Sequence, residues 1–179
     1  MSYSLEAFCT EVRETLRRND DRTGHEEVRV LLERLLAEPS FCSAYVGSDD
    51  TSGMRQIYAD PELGFCLLAY NMTEPRTSPP HDHARSWAVY GQAAGHPDMT
   101  IWSAGADVDN GDVGVEVTDT FRLEAGQAGL FDVREIHSIA YTSGAKFVRV
   151  TGVDMSTESR RVYDPDEGTV RTIESAGTK

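Results

Sequence analysis

Cysteine is scarce in this chain. Its 179 residues hold three, Cys9, Cys42 and Cys66, widely spaced and with no CxxC pair. An odd, scattered set argues against a disulfide framework or a structural zinc cluster, and fits reduced thiols in a cytoplasmic protein. Basic residues are few as well. Against 30 Asp and Glu there are 17 Lys and Arg, for a formal net charge of −13. So acidic a surface repels phosphate backbones and anionic headgroups, so neither nucleic acid nor a membrane is an expected partner. Long apolar runs are missing too: nothing approaches the roughly 18 residues of a membrane span. The opening segment carries Glu6, Glu11 and Glu14 and has no apolar stretch of the signal-peptide kind.

What is present divides at about residue 45. Leu5, Phe8, Cys9, Val12 and Leu16 recur at helical spacing, and after the polar break Asn19-Asp20-Asp21 so do Val28, Leu31, Leu32, Leu35 and Leu36. Thr23-Gly24-His25-Glu26 has the form of a capping box, and Pro39 stops the second helix. From residue 54 the pattern becomes short β runs, expected near 54–59, 63–72, 86–93, 99–104, 115–123, 128–133, 137–142 and 145–153. About eight close-set strands without intervening helices argue for a sandwich or small barrel. The expected organisation is one domain: a helical annex over 1–45, a barrel over 46–165, and a polar, loose tail over 166–179.

The strongest chemical signal is Pro79-Pro80-His81-Asp82-His83. On a strand, residues i and i+2 share a face, so His81 and His83 aim two imidazoles at one point while Asp82 points away. Neutral imidazole suits iron, nickel, copper or zinc. A third histidine, His137, lies on a later predicted strand after the turn at Ala125-Gly126, where hairpin closure can return it to the first pair.

These segments resemble the two motifs of the cupins: HxH with a later glycine, here His81, His83 and Gly91, and a Gly turn followed by a histidine, here Gly126 and His137. The resemblance implies an all-β jelly-roll barrel, a double-stranded β-helix, with the two N-terminal α-helices packed outside. Cupins commonly add a glutamate after the second histidine; Trp87 and Ala88 stand there instead. A three-His site without glutamate is similar to the thiol dioxygenase (cysteine dioxygenase-like) branch, which this chain resembles along most of its length. Met54-Arg55-Gln56-Ile57-Tyr58, Gly64-Phe65-Cys66-Leu67-Leu68 and His81-Asp82-His83 are the matching pieces. The branch implies Fe(II), with Ni(II) or Zn(II) as other occupants, held by His81, His83 and His137. It also implies that Arg55 grips a substrate carboxylate, although a structural ion pair is an equal reading of that residue.

The sequence also departs from this branch. Where thiol dioxygenases place Ser, His and Tyr on one late strand, the positions here are Phe147, Arg149 and Thr151. Arg149 brings a second cation to that strand and suits a bulkier or more anionic substrate than cysteine, provided it faces inward. Thr151 leaves the pocket wider. Tyr141, four residues after His137, shares that strand's side and is either a donor near the metal or barrel filler. Trp87 follows the HxH directly and is the best aromatic candidate for a pocket wall; Tyr90 and Trp102 read as core. His25 and His96 read as surface residues.

The expected function is a metal-dependent dioxygenase that oxidises a small anionic thiol to a sulfinate, with dioxygen as co-substrate. Two alternatives stay open: carbon–carbon cleavage of a diketone-like substrate at the same three-His metal, and a non-catalytic small-molecule binding cupin. A homodimer is compatible with the sequence, which does not read oligomeric state.

Overall fold

The computed structural model describes residues 2–47, 52–105 and 114–175. Helix α1 (Leu5–Arg18) starts where Ser4 accepts a hydrogen bond from the Ala7 amide at 3.1 Å, and it ends on Arg17 and Arg18, whose charges suit the carbonyl end. Helix α2 (Arg22–Leu36) begins differently from the expected capping box. The Asp21 carboxylate accepts from the Thr23 and Gly24 amides at 2.8 and 3.2 Å, so Thr23 lies inside the helix and Glu26 pairs with Arg29. A carboxylate at the positive end of the helix dipole is a stronger acceptor there than a neutral hydroxyl. A helical turn, Pro39–Phe41, and a π-helical turn, Cys42–Val46, lead into the sheets.

Eleven strands follow among the described residues: β1 (Gly53–Ala59), β2 (Cys66–Met72), β3 (Arg76–Thr77), β4 (Ala88–Ala94), β5 (Pro97–Ala104), β6 (Val115–Arg122), β7 (Ala128–Phe131), β8 (Ile136–Tyr141), β9 (Ala145–Thr151), β10 (Arg160–Asp164) and β11 (Thr169–Ile173). All pairings are antiparallel. One sheet runs β1-β2-β9-β4-β7, and the sheet facing it runs β3-β8-β5-β6. Neighbours so far apart in sequence are the signature of a jelly roll, and the fold is a cupin double-stranded β-helix.

Strand alternation divides the core in two. Leu67, Val89, Val148 and Val150 face outward from the five-stranded sheet and pack with Phe8, Val12, Val28, Leu32 and Leu35 of the helices. Ala88, Tyr90, Phe131, Ile139 and Phe147 face into the barrel. Gly91 allows α2 to approach closely, since a Cβ there would meet Leu36 Cδ1 at 2.6 Å and Leu32 Cδ2 at 2.7 Å.

The described part of the expected loose tail, residues 166–175, is ordered into a hairpin, and residues 176–179 lie outside the described residues. Residues 169–173 form β11, which pairs with β10 in the register Arg160↔Ile173, Val162↔Arg171 and Asp164↔Thr169. The turn is held by Asp164, which accepts from the amides of Asp166 and Glu167, and by Gly168 at φ +63°. This hairpin crosses the boundary expected at residue 165.

Candidate metal centre

His81 is not inside a regular strand, as the HxH spacing predicts, but in a single β-bridge with neighbours on both edges. Its amide donates to the His137 carbonyl at 2.9 Å, and the His137 amide donates back at 3.0 Å. On the other edge it bridges to Val162 of β10. His83 follows in a turn that includes Ala84 at φ +54°. Asp82 braces that turn: its Oδ1 accepts from the amides of Ala84 (3.0 Å) and Arg161 (3.1 Å), away from the imidazoles as expected.

The three imidazoles converge. One nitrogen from each of His81, His83 and His137 lies within 4.8 Å of the other two, and ring centroids are 4.6 to 5.4 Å apart. Among the described residues this is the one cluster of metal-ligating side chains, and it contains no carboxylate. His81 Nδ1 lies 2.9 Å from the Pro79 carbonyl, which can only accept, so the His81 lone pair is on Nε2. His83 Nδ1 and both nitrogens of His137 are buried without a hydrogen-bond partner. Orphaned imidazole nitrogens are costly, and a divalent cation at their meeting point would take the lone pair of one nitrogen from each ring. The residues present therefore fit a metal.

Burial, the largest influence, keeps all three rings neutral. It lowers the His81 pKa to about 4, with the charges of Arg160 and Arg149 acting the same way and the Pro79 bond opposing. Burial likewise holds His83 and His137 well below the usual histidine range, and the neighbouring imidazoles and Arg149 push further down. Neutral rings have the free lone pairs that metal binding requires.

A cavity of about 720 Å³ opens beside His81. Arg149 and Tyr141 line it. Arg149 is buried between the rings of Tyr70 and Tyr90, with its guanidinium carbon 5.4 and 5.9 Å from their centroids, and its Nε has no hydrogen-bond partner. Tyr141 stacks on Phe147, which stacks in turn on Tyr70, at 5.2 and 4.4 Å.

Three expected site residues lie elsewhere. Arg55 is exposed on the outer side of β1, and its Nη2 donates to the Tyr45 carbonyl at 2.8 Å; its neighbours Met54 and Gln56 line the cavity instead. Strand parity makes this an either-or choice, because Met54 and Gln56 pair with the inward-facing Tyr70 and Leu68. Trp87 is in the layer between helices and sheet, stacked on His25 at 4.7 Å. His25 is correspondingly buried, 3.2 Å from Asp20, and is not a surface residue. Thr151 is fully buried, its hydroxyl donating to the Val153 carbonyl at 2.8 Å, and it does not reach the cavity.

Tyr90 belongs to the inner core, as the sequence reads it, and in addition its hydroxyl lies 3.2 Å from His83 Nε2 and it lines the cavity. Register could have found it: Tyr90 sits directly opposite Arg149 on the neighbouring strand, so both face inward. Arg160 and Arg171 were hidden because their segment gives little β signal.

Neither a known family model nor a curated protein sequence matches the chain. Solved structures do resemble it. A cupin 2 conserved barrel domain protein from Rhodopseudomonas palustris is similar at TM-score 0.45 and 16% identity, over 64% of this chain and 68% of that one. The Cnp3 cupin domain of Schizosaccharomyces pombe is similar at TM-score 0.41 and 11% identity, over 56% of this chain and 60% of that one. The DMSP lyase DddQ from Ruegeria pomeroyi is similar at TM-score 0.44 and 10% identity, over 64% of this chain and 52% of its own length. Likenesses this distant carry nothing about activity.

Proposed function

We propose that the chain is a metal-dependent cupin enzyme, an iron(II) dioxygenase acting on a small anionic substrate, with a thiol oxidised to a sulfinate as the leading reaction. One observation carries the reading: a cluster of three neutral histidines meets, at His81, the wall of a cavity that is also lined by the buried Arg149, which has no ion pair among the described residues. Iron(II) held by His81, His83 and His137 would supply the redox chemistry that dioxygen needs.

The remaining work falls to residues of the chain. Arg149 binds the substrate's anionic group, and its planar fork fixes that group's orientation. Its charge is permanent, so the ligand must bring the compensating one. The Tyr90 hydroxyl, beside His83, is placed to hydrogen-bond a ligand at the histidines. Tyr70 and Tyr141 keep their protons at neutral pH, since burial raises both phenols. They offer donors and aromatic surface without adding negative charge.

Elemental analysis followed by oxygen-electrode assays tests this. The expected result is close to one iron per chain and oxygen uptake with small anionic thiols, but poor turnover of cysteine, because Arg55 is not available as a clamp. Oxygen uptake with diketones instead would favour carbon–carbon cleavage. Zinc, or no metal, together with ligand binding and no oxygen uptake would replace the enzyme by a non-catalytic binding cupin. The absence of Arg55, Trp87 and Thr151 from the cavity favours that second reading over an ordinary cysteine oxidase.

A further inference from the structure

Four arginines from four strands line the cavity: Arg149 (β9), Arg76 (β3), Arg160 (β10) and Arg171 (β11). None is in an ion pair with another described residue. This is unusual in a chain whose acidic residues outnumber its basic ones 30 to 17. Elsewhere Arg13, Arg17, Arg18, Arg22, Arg29, Arg34, Arg85 and Arg122 find carboxylates, while Arg55 and Arg134 are outside any ion pair but stand singly, away from the cavity.

The acids lining the same cavity are engaged in other ways. Both oxygens of Glu158 are held by Arg85 at 2.8 to 3.0 Å, Asp154 caps the Ser156 amide at 2.9 Å, and Glu174 accepts from Ser159 at 2.9 Å. With Glu158 neutralised by Arg85, four arginines stand against the two carboxylates of Asp154 and Glu174, so the cavity lining is net cationic in an anionic protein.

The cations form two groups. Arg149 is deep, between Tyr70 and Tyr90, with a buried Nε that nothing satisfies. Arg160 and Arg171 belong to the hairpin that roofs the cavity. Its register sets Arg160 opposite Ile173 and Arg171 opposite Val162, and all four residues line the cavity, with Val162 bridged to His81. Arg76, opposite Tyr141 on the barrel edge, is exposed. The wall also carries the stack Tyr70–Phe147–Tyr141.

We infer that the cavity takes a small dianion, with one anionic group seated on Arg149, the other on Arg160 of the roof hairpin, and a short apolar body against the aromatic wall. A single carboxylate satisfies one group and leaves the other without its counter-charge. This inference rests on the reading of the cavity as the ligand site and names the class of ligand.

The test is calorimetric titration of the full chain, metal-free and with one equivalent of zinc. The probes are butyrate and valerate against succinate, glutarate and adipate. At least one dicarboxylate should bind about tenfold or more tighter than the monocarboxylates, the gain of one further charge-assisted contact. Arg160→Gln should abolish that preference, bringing dicarboxylate affinity down to the monocarboxylate level. Arg149→Gln should weaken both classes, with a thermal melt showing that it folds. Equal affinity for the two classes, an undiminished preference in Arg160→Gln, or no saturable binding of any probe would each overturn the inference. Zinc binding measured on the same samples separates the two readings. A protein that binds zinc without dianion preference loses only this inference, and one that prefers dianions without binding zinc loses only the metal centre.

Discussion

His81 and His137 are joined main chain to main chain, each amide donating to the other's carbonyl at 2.9 and 3.0 Å. Two of the three candidate metal ligands are thus set by backbone pairing, and removing an imidazole leaves that pairing in place. His137→Ala should lower bound metal from about one equivalent to near zero, measured by elemental analysis, while the circular dichroism spectrum keeps its β signature. A variant that retains stoichiometric metal would remove His137 from the centre.

Without metal, the buried imidazoles make the fold sensitive to acid. The folded pKa of His81 is about 4, against about 6.5 in an unfolded chain. Below 6.5 the unfolded state therefore takes up protons that the folded state refuses, and stability falls as pH drops from about 6.5 towards 4. Thermal melts of metal-free protein should show a midpoint that declines through this window. His81→Gln should flatten the slope, and an unchanged slope would assign the acid sensitivity elsewhere.

Asp60 ties α1 to the turn between β1 and β2. Its carboxylate accepts from Arg13 (2.7 and 2.9 Å), from the Tyr58 hydroxyl (2.9 Å) and from the amides of Leu63 (2.7 Å) and Glu62 (2.9 Å). Burial, the largest influence, raises its pKa, but the combined donors prevail and bring it to about 2. Asp60→Ala should cost on the order of 3 kcal/mol in urea unfolding. The wild-type contribution is complete above the unfolded carboxyl value of about 3.9 and is lost as pH falls through 2, a window separate from that of His81.

Arg149→Met exchanges an unpaired buried charge for an apolar side chain of similar length. Ligand-free protein should become more stable by about 1 kcal/mol or more, since the desolvation penalty disappears. Anion binding should be lost at the same time. A destabilised variant would show that Arg149 serves the fold.

Arg55→Ala should change unfolding free energy by less than about 1 kcal/mol and leave ligand affinity intact, because the bond lost is an exposed one to the Tyr45 carbonyl. A large rise in the Michaelis constant would restore the clamp that the sequence resemblance implies.

The histidines were legible in the sequence from the HxH pair and a third histidine on a later strand, although the pair converges through a single bridge and a turn rather than through the strand parity that the spacing suggests. The inward direction of Arg149 followed once Val148 and Val150 proved to face the helices. Arg55 was not legible. It lies on an edge strand where Met54, Arg55 and Gln56 are all exposed, so no burial pattern marks the inner face. Trp87 misled because sequence proximity to His83 says nothing of side, and only α2, through His25, reveals which layer it joins. The roof hairpin escaped because β11 offers Val170 and Ile173 as its sole apolar residues, and its pairing depends on β10 rather than on its own sequence.

The bridge between His81 and Val162 bears on the order in which the molecule assembles. His81 gains its backbone neighbours from β8 on one edge and β10 on the other, both distant along the chain. Contacts that close long loops form slowly, after local structure such as the α1–α2 pair. The histidine cluster is consequently a late product of folding. A chain in which β10 has not yet docked holds His81 by one edge alone, and a pulse of metal given early in refolding would find a site still incomplete.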